Sequence, residues 1–455
     1  MSEIKLRERN AILQSLRAGV VPRIGLRHIQ VGRKDEVSAV LKDFEQIEQD
    51  GATIRFVIGR FGSGKSFFLN LARLVALERK FVVLQADITT DRRLHATGGQ
   101  AQALYSELIR SASVRSKPEG GALPAIVERW VSETDFECRS KGYDDAGVTK
   151  VIYERLKPLQ ELVSGYDFAT VIARYFEGFQ KHSDLLMSAA LRWLRAEYTT
   201  KTEANRDLGV RSIIADQDVY DYLKLMAAFV RMAGYAGLLV GLDEMGVLSQ
   251  RLNNAQARNS NYEMILRIVN DCLQGNFGGI GFIFAGTDSF LDDKRRGLAS
   301  YEALASRLAD NTFAVDGIRD FSGPVIRLSN LSPEDLYVLL KNIRSVFACG
   351  DQNKYLVPDE ALVAFLNHCS QVLGTDFYRT PRDSVKAFLG FLSVLEQNPG
   401  MDWRSLLSQT KIDVTLDEPD AEDEMAPAIN PPNQSTRPES IVTSGSNDEL
   451  KSFRL

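Results

Sequence analysis

Six residues in one short stretch, Gly59, Gly62, Ser63, Gly64, Lys65 and Ser66, have the types and spacing of a phosphate-binding loop, G-x-x-x-x-G-K-[ST]. Glycines in such a loop let successive backbone N–H groups turn inward on a polyphosphate, and a helix starting there adds the positive end of its dipole. Lys65 would reach the β- and γ-phosphates of ATP, Ser66 would ligate Mg2+, and Phe67 completes the nucleotide-binding set. A second pair, Asp243 and Glu244, closes an apolar run. Asp243 suits holding the magnesium of a bound nucleotide, and Glu244 suits polarising the attacking water. Thr287 follows another apolar run and could sense the γ-phosphate or orient that water. Three arginines compete to reach a neighbouring subunit's nucleotide: Arg307, Arg295 and Arg296. An arginine supplied in trans raises hydrolysis by about 10³–10⁵. Arg382 falls in the first turn of a helix, from which it could fold back onto the phosphates.

These groups need a scaffold. Residues 53–58 have the composition of a buried strand and 66–72 that of a helix start, so the loop has the strand–loop–helix setting its chemistry requires. Further strands are expected at 81–87, 235–244, 278–287 and 324–328. The near-continuous apolar character of 235–244 implies a parallel sheet covered on both faces. The expected fold is therefore α/β, with five parallel strands. Val31, Gly32 and Arg33 form a glycine turn feeding a helix, and could lie against the adenine base. Residues 89–100, rich in hydroxyls, arginine and glycine, read as a functional loop or as a connector with equal ease.

The chain divides into an N-terminal helical segment (1–30), a first part of the ATPase core (31–100), a helical insertion (101–234), a second core part (235–330), a helical lid (331–412) and an acidic tail (413–455). The insertion is too long for a single crossover helix, so it should form a helical body beside the nucleotide core. Its Trp and Tyr residues at helical spacing suit that body's own packing, and Arg192, Arg195, Lys201 and Arg206 suit a solvated face. The lid begins at Ser332-Pro333, and its last helix is expected to start within 379–386. Residues 413–424 hold seven acidic side chains and no Lys or Arg, which together with the prolines that follow predicts disorder; 448–455 read as a frayed end or a short docking peptide.

At 455 residues, 44% hydrophobic and 25% charged, the chain has ample material for a core. A net charge of −5 excludes a globally basic nucleic-acid binder and leaves a local basic face open, so DNA stays a permitted partner. Four dispersed cysteines without a C-x-x-C pair suggest neither a disulfide framework nor a zinc site. Residues 1–10 are too charged for a secretory signal and no apolar run has transmembrane length, so a cytoplasmic location without membrane contact is expected.

The order of phosphate loop, Asp-Glu strand, Gly-Thr strand and lid with Thr380-Pro381-Arg382 resembles the AAA+ superfamily, near its origin-recognition and STAND-like branches. That resemblance implies a P-loop NTPase with a C-terminal helical lid. It makes Val31, Gly32 and Arg33 the nucleotide box, Lys65 and Ser66 the Walker A pair, Asp243 and Glu244 the Walker B pair, Thr287 sensor 1 and Arg382 sensor 2. More closely, the phosphate loop and the stretch from Ala86-Asp87-Ile88-Thr89 to Arg93-Leu94 are similar to the BREX-system ATP-binding proteins, BrxD-like P-loop proteins of bacterial anti-phage loci. This implies ATP and Mg2+ as cofactors, a defence-locus partner such as a helicase of the Lhr type, and a homo-oligomer. The first function expected is a Mg-ATP hydrolysing motor or switch. The alternative is a nucleotide-gated interaction module with negligible turnover, and direct duplex binding through the lid ranks last.

Overall fold

The apolar runs assemble into one sheet whose carboxyl ends gather the chemistry. The computed structural model describes residues 4–313, 320–373 and 381–409. Helices α1 (Leu6–Arg17) and α2 (Lys34–Glu48) precede strand β1 (Ala52–Ile58), which runs through the phosphate loop into α3 (Lys65–Glu78). Strand β2 (Val82–Asp87) leads to α4 (Gln100–Arg110), α5 (Leu123–Ser140), α6 (Asp145–Gln160), α7 (Gly165–Gln180), α8 (Asp184–Leu194), α9 (Lys201–Leu208) and α10 (Val219–Met232). Then come β3 (Leu238–Asp243), α11 (Gly246–Gln250), α12 (Ala255–Gln274), β4 (Ile280–Gly286), α13 (Asp288–Asp292), α14 (Glu302–Arg307) and β5 (Val325–Arg327). Helices α15 (Pro333–Phe347), α16 (Asp359–Leu373), α17 (Pro381–Gln397) and α18 (Trp403–Gln409) occupy the segment expected to be the lid.

All strand pairs are parallel, in the order β2-β3-β4-β1-β5. The fold is the expected α/β P-loop NTPase type. Register aligns the functional ends: Ile58 stands beside Gly286, and Asp87 beside Asp243. Every residue of β4 is buried, as a central parallel strand requires. Strand β3 begins at Leu238, later than its apolar run, because the Tyr235 N–H closes α10 on the Val230 carbonyl.

One sheet face, with Val57, Val83, Leu239 and Ile283, packs on Phe44, Phe68 and Ala72 of α2 and α3. The other, with Phe56, Leu84, Val240 and Phe282, continues without a break into the apolar interior of α4–α10. The insertion is thus a layer over the sheet that shares its core. Trp193 and Tyr222 (ring centroids 5.5 Å apart) and Trp130 and Phe229 (5.7 Å) lie inside it. Arg192 and Arg206 pair outside it with Glu203 (2.7 Å) and Asp207 (2.9 Å), as a solvated face would.

A separate apolar cluster joins α1 to the lid through Ile12, Leu13, Leu340, Phe365 and Phe388, with Val31 and Phe67 packed against it. The N-terminal segment is therefore bound to the lid. Helix α17 is not the last lid helix, because α18 follows, its first turn capped by Asp402 accepting from the Ser405 N–H at 3.2 Å. Its stretch from Trp403 to Leu407, after the turn at Gly400, mixes Arg and Ser with three apolar residues and is too short to show a helical period. Arg379, Thr380 and residues 410–455 lie outside the described residues, as does the whole unit Asp413–Leu455, on which the tail reading falls. Among the described residues no helix is long and apolar enough to cross a membrane.

Candidate nucleotide-binding site

The phosphate loop leaves β1 at Gly59, whose N–H donates to the Gly286 carbonyl at 3.2 Å and so ties the loop to the end of β4. Gly62 and Gly64 have φ of 74° and 93°, left-handed values that glycine alone adopts without strain. Gly64 caps α3 without a side chain, so the first-turn N–H groups stay open for an anion. Lys65 Nζ donates to the carbonyls of Gly59 and Arg60, both at 2.9 Å, and lies 5.4 Å from the Phe61 ring centroid. The ammonium is thereby held over the loop. Ser63 is buried, its N–H donating to the Arg60 carbonyl at 3.2 Å.

Strand β3 delivers the two carboxylates. Glu244 has φ of 56°, a turn conformation fixed by its N–H donating to Asp243 Oδ1 at 2.8 Å and by the next N–H, of Met245, donating to the Ala285 carbonyl at 3.0 Å. Because β4 lies between β1 and β3, Thr287 at its end falls between the Lys65 loop and the Asp243–Glu244 turn. Its hydroxyl is 2.9 Å from Ser289 Oγ and accepts from the Phe290 N–H at 3.4 Å. Ser66 and Asp243 line one cavity of about 400 Å³ together with Asn70, Asp87, Arg23 and Arg73. A hydroxyl and a carboxylate lining the same cavity are hard oxygen donors of the kind Mg2+ takes, so the residues present fit that ion.

The other expected site residues scatter. Val31 packs on the lid cluster, Gly32 lies against Asp335, and the Arg33 guanidinium donates to the Ser63 carbonyl at 3.1 Å. Arg307 is exposed and donates to Asn270 Oδ1 (2.6 Å) and the Ala303 carbonyl (2.8 Å). Arg296 donates to the Gln250 carbonyl at 3.1 Å, and Arg295 is exposed. Arg382, also exposed, lies against Gly19. The geometry brings Lys65, Ser66, Asp243, Glu244 and Thr287 together and ties Arg33 to the loop. Among the described residues no hydrogen bond or ion pair joins Arg307 or Arg382 to that group. Residues 89–100 are pinned on the insertion side, Gly99 and Gln102 N–H groups donating to Asp216 at 2.6 and 2.8 Å, and on α12, where Asn261 exchanges two 3.0 Å bonds with His95.

Over residues 4–411 the chain matches the model of the family described as BREX system ATP-binding protein BrxC/D. The chain belongs to that family. A comparison with curated proteins found no match. ATP is therefore the nucleotide to place in the loop, and the role lies in BREX anti-phage defence.

Charge in this BrxC/D-family site is tuned by burial. Desolvation lowers the Lys65 ammonium below the usual lysine range, opposed by Asp243, Glu244 and Asp288. Glu244 is raised, first by desolvation and then by Asp243, with Lys65 opposing. A carboxylate shifted upward is a better proton acceptor than an ordinary one. Asn70, Arg73, Asp87 and Arg23 line the cavity without having been assigned to the site from the sequence. Asp87 is raised by desolvation and by Asp243, its register neighbour; a carboxylate ending a strand was its signal. Arg23 lines the same cavity from the N-terminal segment, and nothing in its local sequence marks it.

Proposed function

We propose that this chain is a Mg-ATP hydrolysing AAA+-type switch of the BREX system. The observation that carries the reading is Glu244, held by its own backbone turn beside Asp243 and across β4 from the phosphate loop. Lys65, released from the Gly59 and Arg60 carbonyls, would neutralise the β- and γ-phosphates while first-turn N–H groups of α3 orient them. Glu244, raised in pKa, would accept the proton of an attacking water, with Thr287 fixing that water from the end of β4. Ser66 and Asp243 would hold magnesium, whose charge would offset that of the phosphates. Glu244→Gln keeps shape and removes the base, so MgATP binding should persist while turnover falls by about 10²–10⁴. Unchanged turnover would refute the assignment.

A second reading is a nucleotide-gated interaction module, in which ATP binding exposes the insertion to a helicase of the same locus or another effector while turnover is negligible. Two observations favour it: Arg307 is bonded within its own chain, and Phe67, beside the loop, rests on the lid cluster. It requires partner capture to change with nucleotide, and equal capture with and without MgATP would end it.

A further inference from the structure

The turn of Val31, Gly32 and Arg33 is expected near the adenine base, and the Arg33 guanidinium lies at the phosphate loop. Its Nη2 donates to the Ser63 carbonyl at 3.1 Å, and its Nη1 stands 3.5 Å from Glu36 Oε1. Both side chains are nearly out of solvent, 9% exposed for Arg33 and 2% for Glu36, so the bond is made where competing water is scarce. The Arg33 backbone has φ of 61°, a conformation L side chains rarely adopt, and it follows Gly32 at 64°. Gly32 is set against the lid: a Cβ placed on it would stand 3.2 Å from Asp335 Oδ2, in the first turn of α15. The flanking residues point the same way, because Val31, two before Arg33, and Phe67, just past the loop, both pack on the lid's apolar cluster.

We propose that Arg33 is a positioning residue that couples the phosphate loop to the first lid helix. Its guanidinium fixes the Ser63 peptide, on which the inward aim of the neighbouring N–H groups depends, and the preceding Gly32, set against Asp335, lets the turn that carries Arg33 follow α15. Nucleotide in the loop and lid position then report on each other without Arg33 touching the nucleotide. This rests on the reading that ATP binds the loop.

The test uses the full chain as wild type, Lys65→Ala and Arg33→Ala, with Arg33→Met, which keeps the apolar stem, as the second variant should Ala unfold the protein. Hydrogen exchange without nucleotide is the first measurement. Loss of Arg33 should raise exchange in the phosphate loop and in the first turn of α15 together. A change confined to residues 31–37 is what local packing alone would give, and it overturns the coupling. MgATP and MgADP affinities are the second measurement, and both should weaken alike by roughly 10- to 100-fold, the weight of one charge-assisted hydrogen bond. Unchanged affinity in a variant that Lys65→Ala shows to be measuring loop binding also overturns it. If Lys65→Ala itself binds like wild type, the nucleotide reading fails instead, and the exchange result still decides the coupling.

Discussion

Phe229→Ala distinguishes an insertion that shares the sheet's core from one that folds beside it. Phe229 on α10 is fully buried, with ring centroids 5.7 Å from Trp130 and 6.0 Å from Phe168. Tyr220 on the same helix reaches Phe282 of β4 at 6.3 Å, so the helix bridges both layers. Truncating a buried Phe costs about 3–5 kcal/mol, and two lost ring pairs place this site in the upper half of that range. If roughly 400 residues unfold together, the unfolding entropy is about 0.8 kcal/mol/K and the midpoint falls by about 5 °C in one transition. If an insertion of roughly 130 residues melted alone, its entropy would be about 0.27 kcal/mol/K and its own midpoint would fall by about 15 °C, with a second transition unmoved. Scanning calorimetry of wild type and variant separates the two. Two transitions, one shifted by the larger amount, would refute the shared core.

Other outcomes follow from the site. Because the Glu244 pKa is raised, its carboxylate is lost as pH falls through a higher value than an ordinary glutamate's, so the acid limb of the turnover profile should lie above that range and vanish in Glu244→Gln. Thr287→Val removes a hydroxyl at the centre of the constellation and should lower turnover about tenfold at unchanged MgATP affinity, as steady-state kinetics would show. Arg55→Met breaks a bidentate pair with Asp43 (2.7 Å for each bond) and the bonds to the Phe321 and Gly323 carbonyls that hold the approach to β5. Leaving Asp43 buried without that cation should cost about 3–5 kcal/mol, read as a lower denaturant midpoint.

The parts of this molecule legible in its sequence are those whose chemistry is local. Gly62, Gly64, Lys65 and Ser66 announce the loop because each is demanded by backbone sign or by phosphate charge within one turn of chain. Asp243 and Glu244 are legible because an apolar run ending in acid is costly unless the ends of a buried strand need it. The strand order is not written locally: β4 enters between β1 and β3 only once two long crossovers have been packed. Nor is the bond from Arg33 to Ser63, which depends on a left-handed turn placing residues thirty apart in sequence against each other. Helix α18 was missed because seven residues after a glycine turn carry little periodic signal. The fate of Arg307 is set by what faces an exposed helix, and residue type does not encode that.

The most direct test of the central claim is ATP turnover per subunit with Mg2+, measured over a range of protein concentrations beside Lys65→Ala and Glu244→Gln, with MgATP binding followed in the same samples. A hydrolysing switch predicts binding in wild type and Glu244→Gln, turnover in wild type alone, and neither in Lys65→Ala. Wild-type turnover equal to that of both variants, with binding intact, would contradict it.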